Sequence, residues 1–242
     1  MGLIEIRDLS KSFNGHAVLK DVNLVVEKGS TVVILGKSGV GKSVLLKTII
    51  GLMPPDTGSI RIDGQEIVGM DRRTLDALRK QMGYLFQGAA LYDSMTVREN
   101  LAFPLERQAR LTVDELEERI LRQLGMVGLE DAIDKMPAEL SGGMKKRIGL
   151  ARALITNPRI MFYDEPTTGL DPITAREISY LIKELQQLYQ PTSIAVTHDM
   201  MCARIIADKA AVLHDGVIEY EGTISGMESV SNEVVKSFLA TA

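Results

Sequence analysis

A glycine-rich segment that ends in lysine and serine has the spacing of a phosphate-binding loop. Residues 36–43 read Gly-Lys-Ser-Gly-Val-Gly-Lys-Ser, which matches G-x-x-x-x-G-K-S between an apolar run and an amphipathic one. Such glycines let successive N–H groups curve around phosphate oxygens at a helix N-terminus. We expect Lys42 to reach the terminal phosphates and the Ser43 hydroxyl to hold Mg²⁺; the alternative is an ordinary glycine-rich turn. The candidate binding residues are Gly36, Lys37, Ser38, Gly39, Val40, Gly41, Lys42, Ser43 and Val44.

Two acidic residues at the end of another apolar run could supply a metal ligand and a base. Residues 160–163 read Ile-Met-Phe-Tyr, and Asp164 and Glu165 follow. A strand buried to its last residue would present Asp164 beside the phosphate loop, where it could bind Mg²⁺. Glu165 could polarise the attacking water, a role typically worth ~10²–10⁴-fold in rate. Many strands simply end in acids, so this signal gains its weight from Lys42 and Ser43.

Strands that alternate with helices must position these residues. Short apolar runs at 31–35, 82–86, 159–163, 192–197 and 209–213 predict strands of a mainly parallel sheet, with a helix over 178–188 between two of them. The alternation around Ile4 and Ile6 and around 22–26 predicts half-buried strands. Residues 44–52 predict a helix that Pro54-Pro55 stops. Residues 88–153 predict a helical insertion, with one helix face formed by Val113, Leu116, Ile120, Leu121 and Leu124.

Composition narrows the class of protein. Of the 242 residues, 45% are hydrophobic and 25% charged, which is ordinary globular usage. The net charge of −4 does not favour a general nucleic-acid binder. Cys202 alone cannot form an internal disulfide, and no run approaches the ~18 apolar residues needed to cross a bilayer. We expect a soluble cytosolic protein, whose role at a membrane would need a separate membrane-spanning partner.

The segment Leu140-Ser-Gly-Gly-Met144 makes the chain similar to the ABC-type ATPases. It resembles their LSGGQ motif, with Met144 in place of glutamine. The resemblance covers roughly residues 3–222 and implies an α/β fold, the P-loop NTPase ABC cassette. It implies one domain over 1–242: residues 1–87 and 154–242 form a RecA-like core with an antiparallel β subdomain, and 88–153 a helical subdomain.

The same resemblance implies roles for individual residues. Phe13 would stack on adenine, Gln87 would touch Mg²⁺ and water, and His198 would contact the γ-phosphate; the alternatives are structural roles. Glu165, His198 and Lys42 would be catalytic. The residues that would face the ATP held by a second copy are Ser141, Gly142, Gly143 and Met144. Asp171 belongs to a loop that communicates across such a dimer. ATP and Mg²⁺ are thus the implied cofactors, and a head-to-tail homodimer with two composite sites is the implied assembly.

Some stretches resemble one subfamily, the ATPases of Mla-type, Mce-associated transporters that move phospholipids between bacterial membranes. They are residues 88–97, 100–104 and 140–147. The resemblance implies integral permease subunits and an Mce-type substrate-binding protein as partners, no nucleic acid, and a peripheral location on the cytoplasmic face of the inner membrane. Residues 88–95 would meet the permease or, alternatively, pack inside the helical subdomain. Other open alternatives are transport of an amino acid, metal or lipoprotein, and a non-transport ABC protein acting on DNA or ribosomes.

Overall fold

Two β-sheets and the helices packed against them make up the part of the chain that the computed structural model describes, residues 2–106 and 111–239. In chain order the elements are β1 (Ile4–Phe13), β2 (His16–Val26), β3 (Thr31–Leu35), α1 (Lys42–Ile49), β4 (Thr57–Ile62), β5 (Gln65–Glu66), α2 (Arg72–Arg79), β6 (Met82–Leu85), α3 (Val97–Glu106), α4 (Val113–Val127), α5 (Gly142–Leu154), β7 (Ile160–Asp164), α6 (Pro172–Tyr189), β8 (Thr192–Thr197), α7 (Met200–Ile206), β9 (Lys209–His214), β10 (Val217–Gly222) and α8 (Glu233–Leu239).

The larger sheet has the strand order β10-β9-β3-β8-β7-β6. Its strands run parallel except β10, which pairs antiparallel with β9. Every residue of β3, β7 and β8 is buried, because helices cover one face of this sheet and α1 and the smaller sheet cover the other. The predicted mainly parallel sheet is therefore confirmed, and it brings the carboxyl ends of β3, β6, β7 and β8 to one edge, where ligands bind in open α/β sheets.

The smaller sheet is antiparallel, with the order β2-β1-β4-β5. Its alternating residues, among them Ile4, Ile6, Leu24 and Val26, are buried against α1 and the larger sheet. The half-buried strands predicted at the start of the chain are confirmed. Strand β1 of this sheet ends at Phe13, which lies close to the phosphate loop.

Helices α3, α4 and α5 occupy the stretch predicted to be a helical insertion. The predicted face of α4 is partly wrong. Val113 is 83% exposed and Leu121 is 42% exposed. Val113 begins the first turn, directly after the Thr112 cap, and Leu121 is turned about 100° from Ile120, which is buried. Gln123 replaces an apolar residue on the buried face.

Two further details of the helices differ from expectation. Helix α1 ends at Ile49, before the prolines, because Gly51 turns the chain with a φ of 72°. In α6, Leu188 lies in the last turn and is 63% exposed. A short helix near the C-terminal end, α8, buries Val235 and Phe238; residues 240–242 lie outside the described residues. The division into core and helical subdomains stays a prediction.

None of the helices in residues 2–106 and 111–239 combines the length and apolar character that crossing a bilayer requires.

Candidate nucleotide site

Glycines shape the loop between β3 and α1. Gly39 and Gly41 have φ values of 83° and 108°, in the left-handed region that glycine adopts readily. A Cβ atom on Gly36 would lie 2.9 Å from the carbonyl oxygen of Leu213, so the loop also passes close to the sheet at its first residue. Between these glycines, Lys37 and Ser38 are exposed. The loop is thus a tight, open concavity at the carboxyl edge of the sheet, where α1 begins.

Lys42 begins α1 and turns back across the loop. Its side chain is 4% exposed. The ammonium donates hydrogen bonds to the carbonyl oxygens of Gly36 at 2.6 Å and Lys37 at 3.0 Å. It also lies 3.0 Å from Oε1 of Glu165. One cation therefore joins the loop to the acid that follows β7.

Ser43 and Asp164 meet directly although they are distant in sequence. The Ser43 hydroxyl donates to Oδ1 of Asp164 at 2.9 Å, and the Tyr84 hydroxyl donates to Oδ2 at 3.0 Å. Burial, followed by the charge of Asp164, raises the pKa of Tyr84, so this phenol stays protonated and acts as a donor. A hydroxyl and a carboxylate side by side are oxygen donors of the kind that Mg²⁺ prefers.

Glu165 is held as a carboxylate by several donors. Its Oε2 lies 2.9 Å from Nδ1 of His198 and accepts from the Thr168 hydroxyl at 3.0 Å. Burial acts to raise the pKa of Glu165, but the hydrogen bond and charge of Lys42, together with the charge of His198, outweigh it and lower the pKa below its ordinary value. The carboxylate is therefore ionised at neutral pH and able to accept a proton.

Lys42, Ser43, Glu165 and His198 line one cavity of about 370 Å³, and Asp164 is hydrogen-bonded to Ser43 at its wall. Phe13, the last residue of β1, stands at its wall with the ring 40% exposed and the Lys11 ammonium 5.5 Å from the ring centroid. The residues that line it are Phe13, Val18, Ser38, Gly39, Gly41, Lys42, Ser43, Val44, Gln87, Glu165, Thr168 and His198. The structure thus brings together most of the residues that the sequence singled out.

The segment 141–144 does not line this cavity. Ser141 caps α5 by accepting a hydrogen bond from the Met144 N–H at 3.3 Å, and Gly142 is exposed beside Leu170. Asp171 caps α6, accepting from the N–H groups of Ile173 and Thr174. Residues 141–144 and 170–174 are therefore neighbours on a separate surface, with Thr174 Cγ2 against Gly143.

Four residues of the site were not anticipated: Val18, which lines the cavity, Tyr84, Thr168, and Lys146, whose ammonium donates to the carbonyl oxygen of Glu165. Lys146 had a detectable signal. It shares a helix face with Gly149, Leu150 and Ala153, at a spacing of three, four and seven residues, so it places a charge on an apolar face. Tyr84 and Thr168 carry no such signal, because a tyrosine in a strand and a threonine in a loop are unremarkable.

Comparison with known proteins agrees with this geometry. The family model described as ABC transporter matches residues 19–168. "Probable ribonucleotide transport ATP-binding protein mkl" of Mycobacterium tuberculosis is 39% identical over 98% of this chain, which spans 66% of that relative's length. "Intermembrane phospholipid transport system ATP-binding protein MlaF" of Haemophilus influenzae is 41% identical over 91% of this chain and 84% of the relative.

A solved structure shares the fold closely. The dimeric, post-hydrolysis structure of the ATP-binding cassette MJ0796, bound to ADP and phosphate, superposes with a TM-score of 0.84 at 33% identity, covering 91% of this chain and 98% of that one. The fold is that of an ABC ATPase, and the phosphate loop and both acids stand at the carboxyl edge of the larger sheet. The chain therefore belongs to the ABC transporter family and carries its ATP-binding cassette.

Proposed function

We propose that this chain is the ATP-hydrolysing subunit of a membrane transporter and that Lys42, Ser43, Asp164, Glu165 and His198 carry the reaction. The observation that carries the proposal is the convergence of a phosphate loop, a hydroxyl–carboxylate pair and an ionised glutamate on one cavity. The Lys42 ammonium, 3.0 Å from Glu165, is the group for which the triphosphate would compete. Binding would then free the Glu165 carboxylate to polarise a water molecule, and His198, whose Nδ1 faces Glu165, would contact the terminal phosphate.

Mg²⁺ fits the oxygen donors at this edge. Ser43 and Asp164 would hold it, together with Gln87, which lines the same cavity. When bound, the ion would neutralise charge that develops on the phosphates. Phe13 would stack on the base at the opposite wall.

We propose that the active form is a head-to-tail dimer. Within residues 2–106 and 111–239 the cavity receives nothing from the segment 141–144, so the site is open on one side. A second cavity of about 940 Å³ adjoins it at Thr168 and His198, with Ile173 and Met201 exposed at its wall. Apolar residues beside an open nucleotide site suit burial against a second copy, whose N–H groups at 141–144 would close it.

The substitution Glu165→Gln tests both the proposed dimer and the proposed role of Glu165 as the catalytic base. We expect this variant to bind ATP, to lose hydrolysis by ~10²–10⁴-fold, and to sediment as a dimer with ATP but as a monomer without it. Lys42→Ala is the matched control, expected to bind ATP weakly by calorimetry and to remain monomeric. Normal turnover by Glu165→Gln would remove the role given to Glu165, and a monomer at saturating ATP would remove the composite site.

A groove at the start of the segment 88–95 suits a permease segment. This cavity, of about 620 Å³, is lined by the rings of Tyr84, Phe86, Tyr92 and Phe103 and by cationic side chains, including Arg152. The segment is divided in its burial, since Ala89 is 2% exposed and packs inside whereas Tyr92 is 43% exposed and accessible to a partner. We propose that a cytoplasmic segment of the permease docks here, which places the chain peripherally on the cytoplasmic face of the inner membrane.

The proposed cargo is phospholipid moved between bacterial membranes, with an Mce-type protein in the complex. The support is the resemblance of residues 88–97, 100–104 and 140–147 to that subfamily, and the 41% identity with MlaF. Purification of the tagged chain from detergent-solubilised membranes, followed by protein and lipid mass spectrometry, tests it. A permease with an Mce-type protein and phospholipid is expected. A permease with a nucleotide- or amino-acid-binding protein would contradict the lipid assignment and leave the ATPase assignment intact.

A further inference from the structure

Lys146 is a buried lysine that joins three separate segments. It lies in α5, one turn after Ser141, and is 4% exposed. Its ammonium donates to the carbonyl oxygen of Glu165 at 3.0 Å and to that of Gln87. Helix α5, which begins at the segment 141–144, is therefore hydrogen-bonded to the main chain of Gln87 and of Glu165, both of which line the proposed site of hydrolysis.

The main chain at Glu165 needs such a restraint. Its φ is 48°, in the left-handed region that residues other than glycine seldom adopt, and such conformations persist where surrounding contacts hold them. The Glu165 N–H donates to the carbonyl of Val196 at 2.9 Å, and its carbonyl accepts from Lys146 and from the Thr168 N–H at 3.3 Å. The only side chain among these partners is Lys146, and it comes from a different element of the fold.

We propose that Lys146 is a positioning residue for ATP hydrolysis: by binding the carbonyl oxygens of Glu165 and Gln87 it sets the direction of the Glu165 carboxylate and couples it to the orientation of α5. The inference rests on the proposed function, because it requires Glu165 to be the base. The α5 helix would carry Ser141 to the nucleotide of a second copy. A shift of this helix would then move the main chain at Glu165 through the hydrogen bond that the Lys146 ammonium donates.

The side chain is suited to this role as a donor. Burial lowers the pKa of Lys146 to about 8, against the opposing effect of the Asp164 and Glu165 carboxylates, so the side chain is an ammonium at neutral pH. An ammonium has three donors, and two of them are used on the main-chain oxygens. A role confined to packing would be met by a methionine of similar length.

The test compares Lys146→Met with Lys146→Arg in the full chain, in steady-state ATP hydrolysis and in binding of ATP by calorimetry. We expect Lys146→Met to lower kcat by about 10- to 100-fold, with the Kd for ATP within about threefold, because Lys42 and the phosphate loop are intact. Lys146→Arg, which retains donors, should recover part of the lost kcat. In the Glu165→Gln background, Lys146→Met should lower the residual rate no further.

Lys183→Met is the matched control, since it removes a partly buried lysine on α6 whose ion pair with Asp208 lies at the opposite edge of the sheet. A kcat for Lys146→Met within about twofold of this control would overturn the inference, as would a parallel loss of ATP affinity and kcat. If Lys146→Met does not fold, Lys146→Leu, which also lacks a hydrogen-bond donor, is measured by the same criteria. Normal hydrolysis by Glu165→Gln alone would instead refute the proposed function, so the two failures are distinguishable.

Discussion

The ion pair between Lys42 and Glu165 should make each residue's contribution to stability depend on the other. At their 3.0 Å separation and an effective dielectric constant of about 20, the attraction is about 5.5 kcal/mol. Desolvation of both charges offsets much of it. Each charge also keeps other partners after the pair is broken: Lys42 keeps two carbonyls, and Glu165 keeps Thr168 and His198. We therefore expect a net coupling of about 1–3 kcal/mol.

Urea unfolding of the wild type, Lys42→Met, Glu165→Gln and the double variant, all without nucleotide, measures this coupling. Each single substitution should cost more than it does in the absence of the other partner. Free-energy changes that add within about 0.5 kcal/mol would refute the pairing as an energetic unit. Repeating the cycle with saturating ADP should shrink the coupling, because phosphate then competes for the Lys42 ammonium. A coupling unchanged by ADP would show that phosphate does not use this cation.

Further predictions concern unfolding in acid, the proposed stacking of Phe13 on adenine, the packing of Gly83 against Ala153, and the chemical reactivity of Cys202. Since the pKa of Glu165 is lowered on folding, its stabilising contribution is present above the unfolded pKa of ~4.3 and is lost as the pH falls through the folded value; the stability gap between wild type and Glu165→Gln should narrow there in acid unfolding. Phe13→Ala should weaken ATP binding by ~1–3 kcal/mol in calorimetry, and an unchanged Kd would exclude stacking. Gly83→Ala should destabilise by about 1–3 kcal/mol in urea, because its Cβ would lie 2.4 Å from the carbonyl oxygen of Ala153, whereas Gly88→Ala meets nothing within 4 Å and should be neutral. Burial raises the pKa of Cys202 to about 12, so iodoacetamide at pH 8 should modify it only after unfolding, as read by mass spectrometry; rapid native labelling would contradict its burial.

The strands that are buried on both faces of the sheet were the elements most readily predicted from the sequence. Strands β3 and β7 appear as short, mostly apolar runs and β8 as a short run of β-branched and small residues, since every residue is buried, and such runs need no knowledge of their neighbours. It was harder to predict which residues at the edge of a helix's apolar face are buried. Val113 and Leu121 fit the apolar pattern of α4, yet the packing of α3 and α5 covers a narrower stripe than the pattern suggests.

The site was predictable where chemistry needs a particular side chain at a particular spacing. Lys42 and Ser43 follow the loop, and Asp164 and Glu165 follow a buried strand. The partners of Lys146 could not be predicted, because it acts on carbonyl oxygens, which every residue has; which oxygens it reaches depends on how α5 crosses the sheet.

Strand β8 lies between β3 and β7, and this order has a consequence for assembly of the nucleotide site. Ser43 and Asp164 are 121 positions apart along the chain, and β3, which precedes the loop and helix that carry Ser43, does not pair with β7, which ends at Asp164. Residues 192–197, synthesised after both, must be inserted between them before the hydroxyl and the carboxylate can meet at their observed separation. A nascent chain that has emerged as far as Asp164 would thus contain both Ser43 and Asp164 but not β8, the strand that sets the distance between them. We expect tight nucleotide binding during synthesis to begin only once β8 has emerged.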